Sequence, residues 1–150
     1  SIDFRVDPVP LEIGGLEVLA DAPILSQGRL VQNGFVDRVL QGRGRFVIPS
    51  EIENSAERSV SALLQRTGRV TTQPTSLGDR VVMLGTQGYC APAIYIDGAR
   101  VSGENLILDQ VVPINVVDAM EVYRSEAEAP PEFAGGLAGC GVIAVWTKTR

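Results

Sequence analysis

The chain has 150 residues, of which 45% are hydrophobic, 21% charged and 5% aromatic, a length and make-up that predict one domain with a sizeable core. Its net charge of −5 repels nucleic acid and anionic lipid overall, so neither is expected as a partner, and no apolar run approaches the ~20 residues of a membrane helix. Histidine is absent, which removes His-based acid–base chemistry, Ser-His-Asp and Cys-His dyads, and His-ligated zinc.

In chain order, Ile2, Phe4 and Val6 alternate with polar residues, so the chain is expected to open inside a strand, downstream of a removed segment. Residues 1–20 read as two short strands, Ile2 to Val6 and Leu11 to Leu19, punctuated by Pro8 and Pro10. Residues 21–48 are rich in turn formers and read as irregular, with a short strand over Arg45 to Ile48. This segment carries Arg38, Arg43 and Arg45 among glycines. A solvated loop accounts for them, and so does contact with an acidic partner, in which Phe35 would join.

Ser50-Glu51-Ile52-Glu53 after Pro49 fits a capping box, with the Ser50 hydroxyl accepting from the N3 amide. Early glutamates suit the positive end of the helix dipole. Val60, Leu63 and Leu64 continue an apolar stripe, and Gly68 suits the left-handed position past the helix end. Beyond Gly68 the period becomes two. Val70 opens a strand, Pro74 to Asp79 turns, Arg80 to Gly85 is a strand, and Ala93 to Asp97 is another, closed by the turn dipeptide Asp97-Gly98. A helical turn starts at Pro113, residues 119–124 alternate apolar and polar side chains, and a last strand ends at Thr147. The expected class is α+β: a small domain of mixed short strands with one or two helices, plus an N-terminal β segment.

Cys90 and Cys140 each precede a strand-like run. If those runs pair, the sulfurs meet at one end of the sheet, and a bridge would close a loop of about 50 residues, contributing roughly 4 kcal/mol. An even count at matched strand ends favours a disulfide and an oxidising compartment; two buried, unpaired thiols are the other reading. No catalytic constellation emerges. Ser102, Ser125 and Thr147 have no histidine to activate them, and a Ser-Lys arrangement would rest on Lys148 at the chain end; the carboxylate pairs Asp97 with Glu104 and Glu126 with Glu128 are of a kind that binds a cation, but Asp97-Gly98 reads better as a turn. Calcium-loop and phosphate-loop spacings are missing. No catalytic residue, metal or cofactor is therefore expected. Among the aromatics, Tyr89 and Tyr123 are candidate partner contacts, and Trp146 suits the core.

Five pieces in order carry a resemblance: Leu63 to Val70; Val82-Met83-Leu84-Gly85; Ile94-Tyr95-Ile96-Asp97-Gly98; Pro113 to Met120-Glu121-Val122-Tyr123-Arg124; and Gly135 to Ile143 with Thr147-Lys148. Over residues 46–148 the chain resembles the plug domain of TonB-dependent outer-membrane receptors. Residues 1–20 are similar to the closing strands of the carboxypeptidase-regulatory-like β-sandwich that often precedes such plugs. Leu84 departs from the family, which commonly carries Arg before that glycine, and no amino-terminal coupling box is found.

The resemblance implies terminal sandwich strands over residues 1–20 and a plug-like domain over 46–150; residues 21–45 have no counterpart in it and read from their composition as an irregular linker. It further implies a Gram-negative periplasmic protein, exported and associated with the outer membrane or another envelope complex. The expected function is a non-catalytic accessory subunit that docks on a larger membrane complex for transport or electron transfer, without spanning the bilayer itself. The alternative is the plug of a TonB-dependent receptor, gating the pore and touching the ligand, whose barrel lies outside these residues.

Overall fold

The computed structural model describes residues 28–101, 106–125, 127–133 and 140–148. The strands expected over 1–20, Glu104, Glu126 and most of the glycine-rich link lie outside them. The described elements are α1 Gly28–Gln32, α2 Phe35–Gln41, β1 Arg45–Val47, α3 Pro49–Glu53, α4 Val60–Gln65, β2 Val70–Thr75, β3 Gly78–Gly85 and β4 Gly88–Cys90. They continue with β5 Ala93–Ile96, β6 Ala99–Val101, α5 Leu108–Val111, a 3-10 turn Ile114–Val116, β7 Val117–Tyr123, a 3-10 turn Pro131–Phe133 and β8 Val142–Thr147. The class is α+β, built from short helices and two sheets. No described helix is long and apolar enough to cross a membrane.

The chain divides into two units at Leu40/Gln41. Up to this boundary the described residues form two helices, Gly28–Gln32 and Phe35–Gln41, where their composition reads as irregular. The two helices are joined at Asn33-Gly34, where Asn33 Oδ1 accepts from the Phe35 amide at 3.0 Å. Leu30, Phe35 and Arg38 are buried.

The second unit is organised by a five-stranded sheet in the order β1-β7-β8-β5-β6. β7 runs antiparallel to β1 and β8, while β5 is parallel to β8. Because side chains alternate across a strand, the register sorts the residues onto two faces. Val47, Met120, Val145 and Ile96 align across one face, as do Val122, Ile143 and Ile94. Val60, Leu63, Leu64, Leu108 and Val112 join these in one aliphatic core. The opposite face aligns Phe46, Glu121, Ala144 and Tyr95 and is aromatic. Phe133 lies 5.0 Å, centroid to centroid, from Tyr95 and 6.3 Å from both Tyr123 and Trp146. Covered on both faces, β7 is buried almost throughout, although its alternation reads as a half-exposed strand.

The helical stretch expected from Ser50 onward is broken in two. In α3 the N-cap is Ile48, Pro49 takes the first helical position, and Glu51 reaches back to accept from the Ile48 amide at 3.0 Å. Ser50 is inside the helix and caps nothing. A fresh start follows at Ser59, whose hydroxyl accepts from Ala62 N at 3.2 Å and caps α4. Gly68 then takes φ 80°, as expected past a helix end.

The smaller sheet, β2-β3-β4, is a meander. β2 runs on through Pro74, which the sequence reads as a turn; as an edge strand, β2 tolerates the missing N–H. Between β5 and β6 the turn residues Asp97 and Gly98 have φ 53° and 88°, the doubly left-handed turn that matches strand twist. Asp97 also accepts from Thr147 N at 2.8 Å and from the Thr147 hydroxyl at 2.5 Å, pinning the end of β8.

A candidate docking surface

Three features join the two sheets of the second unit. Cys90, at the end of β4, is bonded to Cys140, just before β8, with an S–S length of 2.08 Å and Cα atoms 6.1 Å apart. Both cysteines lie one short step ahead of β5 and β8, which pair in parallel from Ala93 and Val142; the parallel register therefore brings the sulfurs together. Beside the bridge, a Cβ on Gly141 would stand 2.5 Å from the Tyr123 carbonyl oxygen of β7 and 2.5 Å from Met83 Cε of β3, so glycine is needed for the close approach to the β7 backbone and leaves room for the Met83 side chain. Arg69 supplies the third link. Its Nη1 donates to Glu128 Oε1 at 2.6 Å, and the same oxygen accepts from Arg124 N at 2.8 Å.

The β3–β4 hairpin carries an exposed apolar pair. Leu84 and Tyr89 face one another across the strands and are 63% and 61% exposed. Next to them lies a groove of about 350 Å³ lined by Arg45, Thr67, Gly68, Arg69, Met83, Leu84 and Arg124. A second groove, of about 440 Å³, is lined by Arg45, Phe46, Val47, Ser50, Glu51, Asn54, Ser55, Leu63, Arg66 and Thr67. A surface that sets Leu84 and Tyr89 beside arginine-lined grooves is suited to holding another polypeptide, through aromatic anchoring and charge-assisted hydrogen bonds.

Of the candidate contacts, Arg43, Arg45 and Tyr89 are exposed, and Arg45 lines both grooves. Phe35 and Arg38 are buried within the first unit, where the Arg38 guanidinium lies against Gly34. Tyr123 is also buried, its hydroxyl donating to Glu121 Oε1 at 2.5 Å. Arg66, Arg69 and Arg124 were not among the candidates. They are far apart in sequence and singly unremarkable, and only the packing of α4, β2 and β7 assembles them.

The carboxylates at fixed positions are structural. Asp109 accepts from Ser61 N at 2.8 Å and from the Ser61 hydroxyl at 2.5 Å, tying α5 to α4. Glu121 is fully buried on the aromatic face and also accepts from Trp146 Nε1 at 2.6 Å. Among the described residues no three His, Cys, Asp or Glu side chains cluster as a metal site.

No protein-family model matches this chain, and no curated protein matches it. Solved structures do. The siderophore receptor PirA from Acinetobacter baumannii matches 75% of this chain with 18% of its own, at 19% identity and a TM-score of 0.53. A mutant of the ferric enterobactin receptor PfeA from Pseudomonas aeruginosa matches 75% of this chain with 18% of its own, at 18% identity and a TM-score of 0.51. The likeness is one of fold, and it agrees with the plug-like architecture implied by the sequence. This chain spans less than a fifth of either receptor.

Proposed function

We propose that this chain is the plug-type module of a TonB-dependent outer-membrane receptor, gating its pore and touching the ligand, which the receptors it resembles suggest is a ferric siderophore. The observation that carries this reading is the shared fold over 75% of the chain with two such receptors. The module works by contact and displacement, without bond chemistry, and its partners are the barrel wall and the energy-transducing machinery of the envelope. The Cys90–Cys140 bridge suits the oxidising periplasm of a Gram-negative cell.

The same bridge favours a second reading. A small domain with no enclosing wall gains from a staple, which suits a non-catalytic accessory subunit docked on an envelope complex.

One experiment separates them: an epitope tag and an in-frame deletion of residues 41–150, each made at the native locus in iron-limited cells. A plug predicts a tagged outer-membrane polypeptide with barrel-type heat modifiability, and a deletion that abolishes ferric-siderophore uptake while admitting large antibiotics. A tagged protein recovered in fixed stoichiometry with a separate envelope complex, with uptake unchanged on deletion, would overturn the plug and establish the accessory subunit.

A further inference from the structure

The larger groove is built by three elements of the second unit: β1, the end of α3 with the residues after it, and the end of α4. Val47 and Leu63, both buried, give it an apolar floor. Leu63, Arg66 and Thr67 stand three and four positions apart, which sets them on one face of the helix end. The floor therefore lies beside a guanidinium.

The charge of this groove is opposite to that of the chain. Against a net charge of −5, it is lined by two exposed arginines, Arg45 and Arg66, and one carboxylate, Glu51. Glu51 is occupied at its own helix start, where it accepts from the Ile48 amide at 3.0 Å. Among the described residues neither Arg45 nor Arg66 is ion-paired. The Ser55 hydroxyl accepts from the Glu57 amide at 3.0 Å and from Arg66 Nη1 at 3.4 Å. Both bonds use its lone pairs and leave its hydrogen to donate, while Arg66 keeps further N–H groups. Donors and positive charge thus exceed acceptors over an apolar floor. An inorganic anion would leave that floor uncovered, and the volume of about 440 Å³ lies in the range of small-molecule sites. In the neighbouring groove the Arg69 guanidinium and the Arg124 amide already hold a carboxylate, that of Glu128, at 2.6 and 2.8 Å.

We propose that the larger groove is a binding site for a small organic carboxylate with a hydrocarbon body. Arg66 and the Ser55 hydroxyl donate to the carboxylate, Arg45 adds positive charge, and the body lies on Val47 and Leu63. The charge-assisted bonds select an anion, and the apolar contact selects one that carries a chain or ring. Every residue of the site lies beyond Leu40, within the second unit, so the proposal stands whether or not a barrel surrounds it.

The test titrates the full chain, disulfide intact, with octanoate and follows backbone amide chemical shifts. Octanoate should bind with a Kd of about 1 mM or tighter, and the shifts should be confined to residues 45–55 and 63–67. Octanamide, which lacks the charge, should bind at least about tenfold more weakly, and so should acetate, which lacks the hydrocarbon body. The double variant Arg45→Ala with Arg66→Ala should lose about tenfold in affinity, with an unchanged melting curve because both side chains are exposed. Ser55→Ala should lose about threefold. The charge-reversed pair Arg45→Glu with Arg66→Glu should bind octylamine better than the parent does, a gain that loss of folding could not produce. The proposal is overturned by no saturation at about 10 mM octanoate, by shifts centred elsewhere, by octanamide or acetate binding as tightly as octanoate, by an alanine variant that binds octanoate like the parent, or by a charge-reversed pair that gains nothing for octylamine.

Discussion

Glu121 shows how one side chain can organise a face of the sheet. Its two oxygens receive the Tyr123 hydroxyl and the Trp146 indole N–H inside a shell closed by Phe133. A buried carboxylate is tolerable only when its lone pairs are met. Replacing it with Ala strands two buried donors, each costing about 1–3 kcal/mol. Glu121→Ala should therefore lower unfolding free energy by about 3 kcal/mol in urea titrations and shift the emission of Trp146, the only tryptophan. Glu121→Gln accepts through one atom only and should lose less; a variant as stable as the parent would mean that these bonds contribute little. Trp146 is legible in the sequence as a core residue. The burial of Glu121 is not, because the period-two pattern marks it as outward-facing and the lid over it, Pro131 to Phe133, comes from a proline-bearing turn elsewhere in the chain.

At the scale of elements, helix starts and the disulfide were legible to different degrees. The Ser50 capping pattern is real chemistry in the wrong frame, since Glu51 does reach back to a cap amide, but that of Ile48. In this stretch the residue that caps a helix with its side chain is Ser59, at the start of α4. Ser59→Ala should cost about 1 kcal/mol, whereas Ser50→Ala should stay within about 0.5 kcal/mol; thermal melts that reverse this order would refute the assignment. The cysteines were readable because both precede strand-like runs, and parallel pairing of β5 with β8 does the rest. What pattern alone could not give is that the bridge joins two sheets, because β4 is only three residues long. With Cys90 and Cys140 separated by 50 residues, the chain-entropy model assigns the bridge about 4 kcal/mol. Cys90→Ser should lower stability by about 2–5 kcal/mol and raise amide exchange first in β3 and β4, the strands that the bridge holds to the main sheet. Uniform exchange across both sheets would show that the two unfold as one.

The whole second unit should be sufficient to fold by itself. Both sheets, the disulfide, the aliphatic core from Val47 to Val145 and the aromatic face are all drawn from residues beyond Leu40. The α+β class and most strands of this unit could be read from periodicity, since each is a local pattern. The sheet order could not, because the parallel β5–β8 pair joins segments about fifty residues apart and no local signal specifies which strand lies between which. Loop-closure entropy opposes such a pairing before its contacts form, and the Cys90–Cys140 bridge lies at the start of that pair. Residues 41–150 produced alone under oxidising conditions should therefore give dispersed amide spectra and a cooperative unfolding transition. The same segment made with both cysteines as serine should refold more slowly, because the bridge no longer holds the two strand starts together. A bridged segment that melts without cooperativity would mean that the core needs residues 1–40, and that the boundary at Leu40 is not a boundary of stability.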